Sequence, residues 1–293
     1  MGLVREAETL GYTGLFLPEI SGRDAFATLT CLAGETHDLT LATGIVPMTS
    51  RRPFTTAMGA ATVQERSGGR MVLGLGTGPA APGALKELRA QVVDLRAVLG
   101  GGGDPSPERR LSLPLPAPVP VWVSALGPRA VETAGEVADG VLLNWCTPER
   151  VSEARAAVRA AAVAAGRDPD QVSIAVYVRG SLGADEEAAR LALKAAAGEY
   201  AGYRPYARQF AAMGLAEGAR AAALASSAAR PAEVPDEFVD AICLPGEAEA
   251  AAARLDAFRA AGADVVVVYP VAAGSDPVSS VDDTLRGLAP GRG

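Results

Sequence analysis

Apolar positions along the chain fall into two alternating rhythms. Short, dense apolar runs occur at 14–18, 39–45, 71–76, 119–124, 141–144, 173–179 and 265–269. Each is bounded by glycine, proline or a charged residue and reads as a strand. Between them, apolar residues recur at helical spacing. Leu3, Ala7 and Leu10 mark one helix; Phe26, Leu29, Leu32 and Ala33 a second; Leu85, Leu88, Val92, Leu95 and Leu99 another; Val278, Val281, Leu285 and Leu288 the last. Strand and helix alternate throughout, which predicts an α/β fold with a parallel sheet.

The best-defined unit spans 39–79. An apolar run leads to Gly44-Ile45, and Pro53 then sits where the first turn of a helix tolerates it. Phe54, Ala57, Met58 and Ala61 follow the spacing of a buried helical face. Ser67-Gly68-Gly69 stops that helix, because glycine accepts the left-handed conformation that ends one. The run 71–76 then leads into Gly76-Thr77-Gly78-Pro79. Two strands joined by a helix are parallel, so this is a βαβ unit. The final run, 265–269, is unbroken and β-branched, the pattern of a strand buried on both faces.

The connection from about 180 to 264 is too long for one crossover helix. Tyr203, Tyr206, Phe210 and Met213 form a helical stripe within it. Aromatic stripes at this spacing are most often core; a lid or a homodimer contact is the second use. The expectation is one domain over 1–293, with an insertion at about 198–240.

Composition narrows the function. With 293 residues, 49% hydrophobic content and 21% charged residues, the chain can bury a large core. A net charge of −7 argues against a nucleic-acid partner, and no apolar run approaches the roughly 18 residues of a membrane span. A cytoplasmic protein acting on a small-molecule substrate is the expectation. Cys31, Cys146 and Cys243 are scattered, so no disulfide framework or metal site is indicated. The single histidine, His37, lies where a helix hands over to a strand, away from the end where barrels place chemistry. It reads as structural or solvated.

The phrases LATGIVPMTSRRP and SGGRMVLGLGTG resemble the luciferase-like flavin and coenzyme F420 oxidoreductases. The resemblance resumes at PVPVWVSALGPRAVETAGEVADGVLL and AAGADVVVVYPV. It implies a TIM-barrel-like (β/α)8 fold of the bacterial luciferase type. Seven strands are readable against the eight of a closed barrel, and the family's first strand would precede the helix that here starts near Gly2.

In such barrels chemistry sits at the carboxyl ends of the strands. Those ends read Glu19, Thr43-Gly44-Ile45, Gly76-Thr77-Gly78, Ser124-Ala125-Leu126-Gly127, Asn144-Trp145, Arg179 and Tyr269-Pro270. Only Glu19 and Arg179 are charged, which suits a flat heteroaromatic cofactor better than a metal. Glu19 is therefore the candidate general acid or base. Its neighbours Ile20, Ile45 and Val46 suggest apolar surroundings without a compensating cation. Arg51 and Arg52 are either contacts for an anionic cofactor tail or solvated arginines. The turn at Ala125, Leu126 and Gly127 opens a helix, whose N-terminus favours anions.

The resemblance assigns the cofactor phosphate to Ala125, Leu126 and Gly127, and a non-prolyl cis peptide against the cofactor ring to Gly44-Ile45. It places Thr43, Gly76, Thr77, Gly78 and Asn144 around the same pocket. Gly76 to Ala81 formally fits the dinucleotide fingerprint, but Pro79 and Pro82 crowd the helix start and no acidic strand end follows at the right distance. The family usually has a histidine after the acid, where this chain has Ile20, and some F420 members carry an acid where it has Pro79. The implied activity is F420-dependent hydride transfer to or from a small organic substrate. The alternatives are an FMN-dependent luciferase-like monooxygenase or a non-catalytic flavin-binding paralogue.

Overall fold

The computed structural model describes residues 2–78, 81–183, 185–244 and 246–290. The chain divides into two compact units, Met1–Leu142 with Ala156–Ser173, and Leu143–Arg155 with Ile174–Gly293. Pro79, noted above for lacking an acid, lies outside the described residues.

The first unit is built on strands β1 (Gly14–Leu17), β2 (Thr40–Thr43), β3 (Val46–Pro47), β4 (Met71–Gly76), β5 (Val121–Ser124) and the start of β6 (Gly140–Asn144). β1 pairs with β2, β2 and β3 with β4, β4 with β5 and β5 with β6, all parallel. The strand expected over 39–45 therefore stops at Thr43, and pairing resumes only at Val46, beyond the expected run. Ala42 lies opposite Val72 and Val46 opposite Leu75, so residues 43–45 face only 73–74. One extra residue on one side makes a bulge, which bends the strand and ends regular pairing.

The helix Pro53–Ser67 follows, closed by Gly68 in the left-handed conformation at φ 69°. Its buried face consists of Thr56, Ala57, Ala60, Ala61, Val63, Gln64 and Ser67. Met58, expected inside, is 45% exposed. Beside it, Gly59 faces the Phe26 ring, where a Cβ would stand 2.8 Å away.

At the amino ends of these strands, side chains cap the backbone. Arg70 of the Ser-Gly-Gly-Arg stretch donates to the carbonyls of Ala33, Thr36, Leu39 and Ser67. Glu8 Oε1 accepts the amides of His37, Asp38 and Leu39 at 2.9, 2.7 and 3.1 Å. Those bonds, that to Asp38 first, hold the Glu8 carboxyl below its ordinary pKa. The His37 side chain is exposed. The Ser-Gly-Gly-Arg stretch thus ties backbone together at the amino ends of the strands, opposite their carboxyl ends.

The second unit contains β7 (Ser173–Gly180) and β8 (Val265–Pro270), paired from Ala175↔Val265 to Gly180↔Pro270. β8 is not buried on both faces as its composition suggests; all six residues are half-exposed. Among the described strands it pairs with β7 alone. Helices Glu186–Ala201, Arg204–Ala212, Ala216–Ser227 and Asp236–Ile242 occupy much of the long connection. They enclose a core of Phe210, Phe238, Val239 and Leu193, with Trp145 at 0% exposure. Of the aromatic stripe, Phe210 is fully buried and Tyr206 and Met213 pack partly against the core. Tyr203 precedes its helix and is half exposed, with its hydroxyl donating to Glu199.

Candidate functional site

In the first unit the bulge after β2 is organised by its own backbone. The Gly44-Ile45 peptide is cis. Gly44 N–H donates to the Leu17 carbonyl at 2.9 Å, and the Ile45 carbonyl accepts the Glu19 N–H at 3.0 Å. The carboxyl end of β1 is thereby tied to both residues of the cis peptide. On the other side, the Thr43 hydroxyl donates to the Gly74 carbonyl and accepts the Gly74 amide. A Cβ at Gly74 would stand 2.1 Å from the Thr43 carbonyl oxygen.

Gly76 ends β4 against the same bulge. A Cβ there would reach Ile45 Cδ1 and Ser124 Oγ, each at 2.7 Å. Gly78 has φ +68°, which glycine adopts without the cost of a side chain, and its Cβ position meets Thr49 Oγ1 at 2.7 Å. The Thr77 hydroxyl donates to the Gly78 carbonyl at 3.2 Å. Thr43, Gly44, Ile45, Gly76, Thr77 and Gly78 are thus brought together at the carboxyl ends of β2 and β4.

Glu19 lies beyond β1, but not in the surroundings its neighbours suggested. Arg51 donates to both carboxylate oxygens, Nε to Oε1 and Nη2 to Oε2, each at 3.0 Å. Oε2 also accepts the Ala25 amide at 3.0 Å. The expectation of a carboxylate without a cation partner is overturned, because the loop before the helix Pro53–Ser67 folds Arg51 onto it. Arg51 also pairs with Asp24 and lies 5.1 Å from the centre of the Phe26 ring. Its guanidinium is held more firmly protonated, first by the Glu19 hydrogen bonds. Arg51 is therefore engaged by two carboxylates, although its side chain remains 21% exposed. Ile20, beside Glu19, is 77% exposed.

The turn after β5 holds its three residues differently. The Ala125 N–H donates to the Leu142 carbonyl at 3.2 Å, which removes it from the expected phosphate contact. Gly127 is exposed, caps the helix Pro128–Val137 and has an ordinary extended backbone at φ −93°. Nothing stands within 4 Å of a Cβ built there.

Asn144 is placed in the second unit and has other partners. Its Oδ1 accepts from Arg179 Nη1, its Nδ2 donates to the Tyr206 hydroxyl at 2.8 Å, and its carbonyl accepts Gln209 Nε2 at 2.8 Å. Both ends of its side chain are occupied. Arg179, at the end of β7, is 4% exposed. Four rings surround its guanidinium carbon, with centroids at 4.2 Å (Trp145), 4.8 Å (Tyr269), 5.3 Å (Tyr200) and 5.7 Å (Tyr177). Burial pushes the Arg179 pKa down and the Tyr206 phenol up to about 12. Sequence reasoning recognised Arg179 only as a charged strand end. The residues that enclose it come from 145, 177, 200 and 269, and their convergence has no local signal.

Among the described residues no group of three or more His, Cys, Asp or Glu side chains is arranged to hold a metal. No helix among them is long and apolar enough to cross a membrane.

These strand ends and this topology define a TIM-barrel-like α/β fold of the luciferase type. The chain belongs to the luciferase-like monooxygenase family, whose sequence description matches residues 1–86 and 99–265. A 5,10-methylenetetrahydromethanopterin reductase from Methanolobus tindarius is 32% identical over 200 residues, covering 63% of this chain and 61% of the relative. The chain thus matches about three fifths of the length of that relative. The structure of a coenzyme F420-dependent tetrahydromethanopterin reductase from Methanopyrus kandleri superposes with TM-score 0.76. It is 21% identical, over 98% of this chain and 93% of that one. An F420-dependent secondary alcohol dehydrogenase, in complex with an F420-acetone adduct, also gives TM-score 0.76. It is 18% identical and covers 97% of this chain and 92% of that one.

Proposed function

We propose that this chain is an F420-dependent oxidoreductase that moves a hydride to or from a small organic substrate. The observation that carries the reading is the bulge at Gly44-Ile45, held between the Leu17 carbonyl and the Glu19 amide at the strand ends with side-chain-free Gly76 against it. F420, when bound, would supply hydride transfer at C5 of its deazaflavin ring.

The residues present fit a flat ring. Gly44, Gly76 and Gly78 carry no side chain, Ala125 carries a methyl group, and Thr77 and Ser124 offer hydroxyls. Ile45 and Gly76 would support the ring, with Thr43 locking the bulge beneath them through Gly74. The turn from Leu126 to Gly127, at the start of the helix Pro128–Val137, would take the phosphate. Glu19 is the carboxylate we assign to the accompanying proton. Its orientation is fixed by Arg51 and the Ala25 amide, so proton exchange there competes with the Arg51 hydrogen bonds. Its help falls towards the lower end of the roughly 10²–10⁴-fold typical of general acid–base catalysis.

The family description favours a second reading, an FMN-dependent monooxygenase on the same fold. Production in a host that makes F420, followed by the absorption spectrum of the purified protein, separates them. A deazaflavin spectrum is expected. Bound FMN would favour the monooxygenase, and a bound deazaflavin that never changes redox state with any acceptor would favour a non-catalytic paralogue.

A further inference from the structure

Arg179 is a buried cation without a counter-ion among the described residues. Within the same unit, Arg150, Arg155, Arg190 and Arg230 each meet an aspartate or glutamate. Arg179 meets none among the described residues, although at 4% exposure its charge is far more costly to leave unpaired. A guanidinium has five N–H donors, yet its one hydrogen-bond acceptor among the described residues is Asn144 Oδ1. The ring faces of Trp145, Tyr269, Tyr200 and Tyr177 offset part of the charge by cation–π attraction. They supply no anion. A second donor in the cluster is unused: the Trp145 indole N–H is buried and has no partner among the described residues.

We infer that Arg179 and its aromatic cage form a binding site for a small monocarboxylate. A planar guanidinium fork matches a carboxylate in two parallel hydrogen bonds. One unpaired positive charge calls for one negative charge, and the surrounding rings are neutral phenols and an indole, with no second cation among them. The aromatic walls suit a flat, apolar body behind the carboxylate. The inference stands on the second unit alone and does not depend on which cofactor the protein uses.

Calorimetric titration of the full chain with benzoate, benzamide and inorganic phosphate tests it. Benzoate is expected to bind saturably, with benzamide and phosphate at least about tenfold weaker. Arg179→Met should abolish benzoate binding, and Arg179→Lys, which keeps the charge but loses the fork, should weaken it at least about tenfold. Asn144→Asp supplies a carboxylate from within. It should therefore raise the melting temperature and abolish benzoate binding, which keeps the test decisive if Arg179→Met fails to fold. No benzoate binding to the wild type, preference for phosphate, or equal benzoate affinity in wild type and Asn144→Asp would each overturn the proposal.

Discussion

The hydroxyl of Thr43 takes both backbone hydrogen bonds of Gly74, donating to its carbonyl at 2.9 Å and accepting its amide at 2.8 Å. The bulge has pulled β2 out of register, and this one side chain replaces the ladder bonds that were lost. Thr43→Val keeps the shape and leaves two buried backbone groups without partners, each worth about 1–3 kcal/mol. A destabilisation of about 2–6 kcal/mol by urea unfolding is expected. Gly74→Ala should be worse, because its Cβ would meet the Thr43 carbonyl oxygen at 2.1 Å and only backbone can move.

Gly127 gives the opposite expectation. Its backbone is ordinary and its Cβ position open, so Gly127→Leu should change stability by no more than about 0.5 kcal/mol. If the turn holds the cofactor phosphate, the same substitution should weaken cofactor binding at least about tenfold. Unchanged affinity would move the anion site elsewhere.

Glu19→Gln separates two roles of one carboxylate. It leaves Arg51, whose side chain is 21% exposed, without its bidentate partner. Hydrogen bonds to charged groups are worth about 1.5–3 kcal/mol, so thermal unfolding should show a loss of about 2 kcal/mol. Single-turnover hydride transfer should slow by about 10²-fold while cofactor affinity stays within a few-fold of wild type. A stability loss with full turnover would leave Glu19 a purely structural residue.

Glu8 provides a pH signature. Its carboxyl is held below the ordinary value of 4.5, first by the Asp38 amide. A lowered folded-state value contributes stability above the unfolded value and loses it as the pH falls through the folded one. Glu8→Gln should therefore be less stable than wild type by about 1 kcal/mol at pH 7. The two should converge in stability as the pH drops below 4.5. A constant gap across that range would contradict the assignment.

Much of this was legible in the chain, for identifiable reasons. The strand at 71–76 was readable to the residue because its apolar run is closed by glycine. The helix after Pro53 was readable, but its rotation was not: periodicity placed Met58 inside, whereas it is exposed and the neighbouring Gly59 faces the Phe26 ring. The β-branched run of β8 indicated a strand correctly, but the strand is half-exposed and among the described strands pairs with β7 alone. At the site, small residues at strand ends were visible as a pattern. The Arg51 to Glu19 pair joins loops 32 residues apart, and no local feature announces it. The Arg179 cluster draws on residues from 144 to 269, so it exists only once the second unit has folded.

The most direct test is a pair of binding titrations on one cofactor-free preparation, following the fluorescence of F420 and of FMN in turn. Saturable binding of F420 at least about tenfold tighter than that of FMN is expected, with reduced F420 able to pass its hydride to an added acceptor. Tighter binding of FMN, or no binding of F420 by a folded preparation, would contradict the F420 reading.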